Sequence, residues 1–184
     1  PTTRVVDLDG RMVLPGMFDA HIHALGGGIE ALECDLSVES IFEDLGRYPD
    51  DELSEYLLRI ERCANEKPDA AWIVGSGWLM SAFGPGGRAS RELLDEIIPD
   101  RPVYMESSDG HSAWVNSRAL EIAGITADTQ DPPGGRIDRE PGSGEPLGSL
   151  QEHATDLVYD LIPAPDLESR TAGMQYSVRM LNAY

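Results

Sequence analysis

Residues 6–23 read Val6-Asp7-Leu8-Asp9-Gly10-Arg11-Met12-Val13-Leu14-Pro15-Gly16-Met17-Phe18-Asp19-Ala20-His21-Ile22-His23. Asp9-Gly10 is a hairpin signal flanked by apolar residues, so residues 4–14 are expected to form two short strands around it. Pro15-Gly16 then punctuates the chain. From residue 17 to residue 24 two sets alternate: Met17, Asp19, His21 and His23 on one side, Phe18, Ala20, Ile22 and Ala24 on the other. That alternation predicts a strand with one reactive polar face and one small apolar face. On such a strand two imidazoles two residues apart project the same way, and their neutral ring nitrogens can reach one divalent metal ion. His21 and His23 are therefore the candidate metal ligands. Asp19 shares their face and is placed to accept the other ring N–H of a histidine, which would fix its tautomer.

Beyond this stretch the chain alternates strand and helix signals. Gly26-Gly27-Gly28 leads to a short strand candidate at 31–36 and a brief helix at 38–45. Leu53, Tyr56, Leu57, Ile60, Cys63 and Ala64 recur at three- and four-residue steps, a helix closed by Lys67-Pro68. A buried strand is expected at 71–75, a Gly- and Pro-rich loop at 80–89, a helix capped by Ser90 and running to Ile98, and a strand at 103–107. Asn116 caps a further helix that stops at Gly124. Strand, loop, helix, strand in this order predicts βα units and a largely parallel sheet. Residues 125–148 break the rhythm with two Gly/Pro clusters that bracket an inserted hairpin, and so long an irregular insertion points to function. Helices are expected at 150–162 and 167–182.

Composition narrows the function classes. The chain has 184 residues, 14 basic against 33 acidic, and a formal net charge of −19. Such a charge repels phosphate backbones and anionic lipid, which argues against nucleic acid or a membrane surface as partner. No apolar run approaches the roughly 18 residues a bilayer span requires. Cys34 and Cys63 form no Cys-x-x-Cys pair and no disulfide framework, and read as small buried hydrophobes in a reducing, cytoplasmic compartment.

The stretch 6–23 closely resembles the entry to the metal-dependent amidohydrolase superfamily, where a small β-sandwich hands over to the first strand of a (β/α)8 barrel. Three later segments resemble the amidohydrolase family 3 branch, which includes N-substituted formamide deformylase-like proteins. They are Trp72-Ile73-Val74-Gly75-Ser76-Gly77-Trp78, Asp109-Gly110-His111-Ser112-Ala113-Trp114-Val115-Asn116-Ser117-Arg118-Ala119-Leu120 and Asp131-Pro132-Pro133-Gly134-Gly135. The resemblance implies an α/β fold comprising the first three or so βα units of a TIM barrel. Residues 1–16 would be the sandwich edge and residues 17–184 the opening part of the barrel. It also implies a metal-dependent hydrolase of non-peptide carbon–nitrogen bonds, with one or two divalent metal ions, zinc foremost, held in part by His21 and His23. The expected partner is a small amide or N-acyl substrate, and self-association into a homo-oligomer stays open.

The superfamily's later ligands, a carboxylated lysine or carboxylate, two more histidines and a late aspartate, have no match here. Lys67, the lone lysine, sits before Pro68 and suits a bridging carbamate poorly. The chain thus reads as truncated at both ends, its isolated segment inactive, with an upstream leader left open. His111 follows the strand at 103–107 and would lie at the carboxyl end of a barrel strand, where such barrels keep their chemistry. It is a candidate for substrate contact or electrostatic assistance, against the plainer reading of a solvated turn histidine. Glu152 fits N3 of a capping box, Ser149-Leu150-Gln151-Glu152, and is a second catalytic candidate. His153 reads as a surface residue, and Trp78, Phe83 and Trp114 as pocket lining or packing. Two rival readings remain: a His-x-His phosphoesterase and a non-enzymatic acidic binding module.

Overall fold

The computed structural model describes residues 3–16 and 21–183. Its elements are α1 (Ala24–Glu30), β1 (Cys34–Asp35), α2 (Val38–Leu45), α3 (Glu52–Glu66), β2 (Ile73–Trp78), a 3-10 turn at Met80–Phe83, α4 (Arg91–Ile97), β3 (Val103–Ser107), β4 (Ser112–Val115), α5 (Ser117–Ala123), β5 (Gly135–Arg139), β6 (Pro146–Glu152), α6 (Asp156–Tyr159) and α7 (Leu167–Ala183). Six strands form one sheet in the order β1-β2-β3-β4-β6-β5.

Helix starts follow the side chains expected to cap them. Ser37 Oγ accepts from the Ser40 amide, Asp51 Oδ1 from that of Ser54, and Ser90 Oγ from that of Glu92, each satisfying an amide that the first turn leaves unpaired. Asn116 does more. Its Oδ1 accepts from Ala119 and Val103 amides, both at 3.0 Å, and its Nδ2 donates to the Ile98 and Arg101 carbonyls at 3.0 and 2.8 Å. This fully buried amide therefore caps α5 while fastening α4 and the start of β3 to it.

Alternation along the strands sends side chains to two cores, one on each face of the sheet. Met105 and its partner Trp114 lie on the face covered by α3 and α4, with Tyr56, Ile60, Ile73, Trp78 and Leu94. Tyr104, Ala113, Val115, Ile137 and Leu150 lie on the face covered by α5 and α6. Trp78, Phe83 and Trp114 stack edge to face with centroids 4.9–6.5 Å apart. Trp78 Nε1 donates to the Met105 carbonyl and Trp114 Nε1 to that of Ser90, each at 2.8 Å. Of the two readings of these aromatics, packing is the one the structure bears out.

Four expectations need correction. The sheet is mixed: β1, β2 and β3 run parallel, but β4, β6 and β5 continue it antiparallel. Residues 112–115, to which the pattern assigned no element, form a strand because Asp109-Gly110 is a tight β3–β4 connection and Ala113 and Trp114 fill the two cores. The helix expected at 150–162 shrinks to α6, since Leu150 pairs with both Ala113 and Ile137 inside the sheet. Burial through this pairing outweighs the local helical spacing. Cys34 and Cys63 are joined in a disulfide across 5.7 Å between Cα atoms, because α3 packs on β1 and brings the two residues together. They are not the reduced hydrophobes read from spacing. Finally, Asp9 and Gly10 do form the expected turn, with φ of +49° and +76° and a hydrogen bond from Arg11 N to Leu8 O. Among the described residues, however, 4–14 pair with no strand, and they stay exposed. Among the described residues no helix is long and apolar enough to cross a membrane.

Candidate active site

The strand expected at 17–24 is the most consequential departure. Residues 17–20, and with them Asp19, lie outside the described residues. His21 occupies a bend, His23 is the N-cap of α1, and helix begins at Ala24. The glycines that look like a loop are helical because α7 lies against them. A Cβ on Gly28 would stand 2.0 Å from the Gly173 carbonyl oxygen, a separation only two glycines permit,. Ser177 Oγ donates to the Ala24 carbonyl at 2.5 Å, pinning the first turn of α1.

Although no strand carries them, the two imidazoles converge. His21 Nε2 and His23 Nε2 lie 3.2 Å apart, with ring planes at 74°. Two nitrogens bound to one tetrahedral zinc at 2.0–2.1 Å would be separated by about 3.3–3.4 Å. The pair therefore fits two ligand positions of such an ion. Bend and helix start, rather than strand pleat, produce the geometry. Among the described residues no third histidine, cysteine, aspartate or glutamate joins them to complete a three-ligand group. Lys67 is engaged elsewhere: Nζ donates to the Leu32 carbonyl at 2.8 Å, and burial lowers its pKa.

The second cluster gathers at the β3–β4 turn. His111 Nδ1 lies 3.0 Å from Glu152 Oε2, a contact invisible to the capping-box reading. Glu152 is not at N3 of a helix. It ends β6 with a φ of +51°, and its amide donates to the His111 carbonyl at 2.8 Å. Asp109 holds the turn from below: its Oδ1 accepts from Ser107 Oγ at 2.6 Å and from the His111 amide at 3.0 Å, while Ser107 Oγ accepts from the Ser112 amide. The Ser107 hydroxyl and the His111 amide keep the Asp109 carboxyl below the usual range, and Glu152 raises the His111 pKa. His153 is exposed, with Nδ1 3.3 Å from Asp156 Oδ2, as a surface histidine should be.

An open cleft of about 530 Å³ separates α1 from the carboxyl ends of β2 and β3, lined by Gly26, Glu30, Ser76, Glu106 and Tyr159 among others. Sequence reading passed over Glu106. A carboxylate closing the otherwise apolar run Val103-Tyr104-Met105 was the available signal. Burial raises its pKa, with Glu30 adding to the effect. Gly26 lies three residues past His23, and Glu106 Oε1 lies 4.0 Å from the position a Cβ on Gly110 would take. The cleft thus lies between the histidine pair's helix and the ends of β2 and β3, and His111 is not among its lining residues.

A converging histidine pair, a helix-flanked sheet and polar groups at strand ends are features of metal-dependent hydrolase folds. The sequence pattern of the amidohydrolase family matches residues 4–184, and the chain belongs to that family. It is 34% identical to the Protein LONG AFTER FAR-RED 3 of Arabidopsis thaliana over 91% of this chain and 27% of that protein. It is 34% identical to the putative amidohydrolase YtcJ of Bacillus subtilis over 89% of this chain and 28% of that one. To the N-substituted formamide deformylase of Arthrobacter pascens it is 33% identical, over 86% and 28%. Among solved structures, an uncharacterized metal-dependent hydrolase from Pyrococcus furiosus shares the fold at a TM-score of 0.57 and 20% identity, over 92% of this chain and 30% of that one. The chain thus spans little more than a quarter of the length of these curated relatives.

Proposed function

We propose that the chain is part of a metal-dependent hydrolase that cleaves the non-peptide carbon–nitrogen bond of a small amide or N-acyl substrate. The observation that carries this reading is the 3.2 Å approach of His21 Nε2 to His23 Nε2. Family membership, and relatives named as an amidohydrolase and a formamide deformylase, support the bond class. His21 and His23 would hold a divalent ion, zinc being the metal that two imidazole nitrogens at this spacing suit. Such an ion, when bound, lowers the pKa of its water and polarises the scissile carbonyl. Asp19 would orient the histidines. Residues 1–16 are read as a sandwich edge, and residues 17–184 as the opening of a (β/α)8 barrel with an inserted hairpin at 125–148. The parallel pairing of β1, β2 and β3 supports that reading. The partner is a small molecule rather than a nucleic acid or membrane, and a second copy of the chain is compatible with it.

Turnover by the whole protein tests the reading. N-formyl and N-acetyl amines offered beside phosphate monoesters and diesters should give amine release that is lost on chelation and restored by zinc. Hydrolysis of the phosphate esters alone, or amine release indifferent to chelator, would overturn it.

A further inference from the structure

We infer that His111 and Glu152 form an acid–base dyad, Glu152 positioning the imidazole through Nδ1 and His111 Nε2 exchanging a proton with the leaving nitrogen of the substrate. The inference rests on the carbon–nitrogen hydrolysis proposed above. Its first support is geometric. The ring and its carboxylate partner belong to segments 41 residues apart, yet meet at 3.0 Å, and both are fixed at the backbone. The His111 amide is bound by Asp109 Oδ1, and the His111 carbonyl by the Glu152 amide. With the carboxylate on Nδ1, the neutral ring carries its proton there, leaving the Nε2 lone pair directed outward. Nε2 makes no hydrogen bond among the described residues.

The second support is a cost that stability does not repay. Glu152 adopts a left-handed backbone conformation, with φ +51°, that glycine or asparagine would occupy with less strain. An ion pair whose side chains are 65% and 57% exposed returns little to the fold. Strain retained at one residue to bring a carboxylate against a histidine is characteristic of working sites. Two carboxylates act on the ring in one direction, Glu152 from β6 and Asp109 from the turn itself. The two carboxylates nearest the ring favour its protonated form, which brings the group toward the range where general acid–base catalysis is most effective.

Proton and electrons balance simply. After hydroxide has added to the carbonyl, the carbon–nitrogen bond breaks, and its electron pair stays on nitrogen. The Nε2 proton of the imidazolium passes to that nitrogen as the carbonyl re-forms. The neutral ring then recovers a proton from water.

Nuclear magnetic resonance titration of His111 in the whole protein tests the coupling without needing turnover. Glu152→Gln keeps the backbone strain and removes the charge, so the His111 protonation constant should fall by about three- to tenfold. Glu152→Asn should give the same fall while leaving the melting temperature unchanged or higher. An unchanged His111 titration in Glu152→Gln, or a destabilised Glu152→Asn, would overturn the dyad, the latter because it would make Glu152 structural. These outcomes hold whether or not the histidine pair binds metal. On an N-acyl amine that the enzyme hydrolyses, the His111-dependent limb of the kcat/KM profile should move to lower pH in Glu152→Gln. The loss in His111→Gln should not deepen when Glu152→Gln is added. Additive losses would overturn the assignment even with the hydrolase reading intact.

Discussion

At the scale of single residues, polar side chains carry more of this structure than their number suggests. Asn116 is the clearest case, because one buried amide meets two donors and two acceptors. Replacing it with alanine leaves the Val103 amide and the Ile98 and Arg101 carbonyls without that partner, and should cost about 2–4 kcal/mol in denaturant unfolding. Its capping role was legible, since Asn before an apolar-periodic run is a helix-start signal. Its hold on Val103, 13 residues away, was not, because that contact exists only once β3 and α5 are neighbours. Glu106 gives the opposite sign. Burial raises its pKa, so its contribution is fully present below the ordinary carboxylate range and is lost as pH rises through the folded value. Glu106→Gln should therefore raise the melting temperature near neutral pH by about 1–3 °C, with the gain vanishing in acid. His21, His23 and His111 stood out as candidates from spacing and motif. The Glu152 contact to His111 was hidden because a helix-capping pattern and a strand end look alike in four residues.

At the scale of elements, the departures share one cause: contacts between distant segments decide what local pattern leaves balanced. Residues 24–30 contain three successive glycines, poor helix formers by propensity, and are helical because α7 accepts them at backbone contact. Gly28→Ala should force α1 from α7, since its Cβ would meet the Gly173 oxygen at 2.0 Å. We expect a loss of about 1–3 kcal/mol and weaker metal uptake in the same variant, measured by melting and by zinc titration, as α1 carries His23 at its cap. Leu150 illustrates the same competition in the sheet, where pairing with Ala113 and Ile137 overrides helical spacing. The helices at 38–45, 52–66, 91–97, 117–123 and 167–183 were readable because each has a cap or sustained apolar periodicity of its own. The disulfide was not, as cysteines 29 positions apart carry no spacing signal. Cross-linking a loop of that length typically stabilises by about 2–4 kcal/mol. Replacing both cysteines with serine should lower stability by that order under oxidising conditions, and reductant should reproduce the loss in the native sequence.

At the scale of the whole molecule, a sheet covered on both faces carries an open cleft between α1 and the carboxyl ends of β2 and β3. The strand–helix rhythm made the α/β class and the first three parallel strands legible, while β4 carried no element signal and the end of β6 was masked by the helical spacing that begins at Leu150. Family membership accords with this arrangement, and the short span relative to the curated relatives makes the histidine pair the part of the proposed site on which this chain can be judged. Metal content decides it. The whole protein, loaded with zinc and freed of excess, should retain stoichiometric metal by elemental analysis. The His21→Ala/His23→Ala double variant, with an unchanged circular dichroism spectrum, should lose at least one zinc per chain. Full metal retention by that variant would contradict the assignment of these histidines.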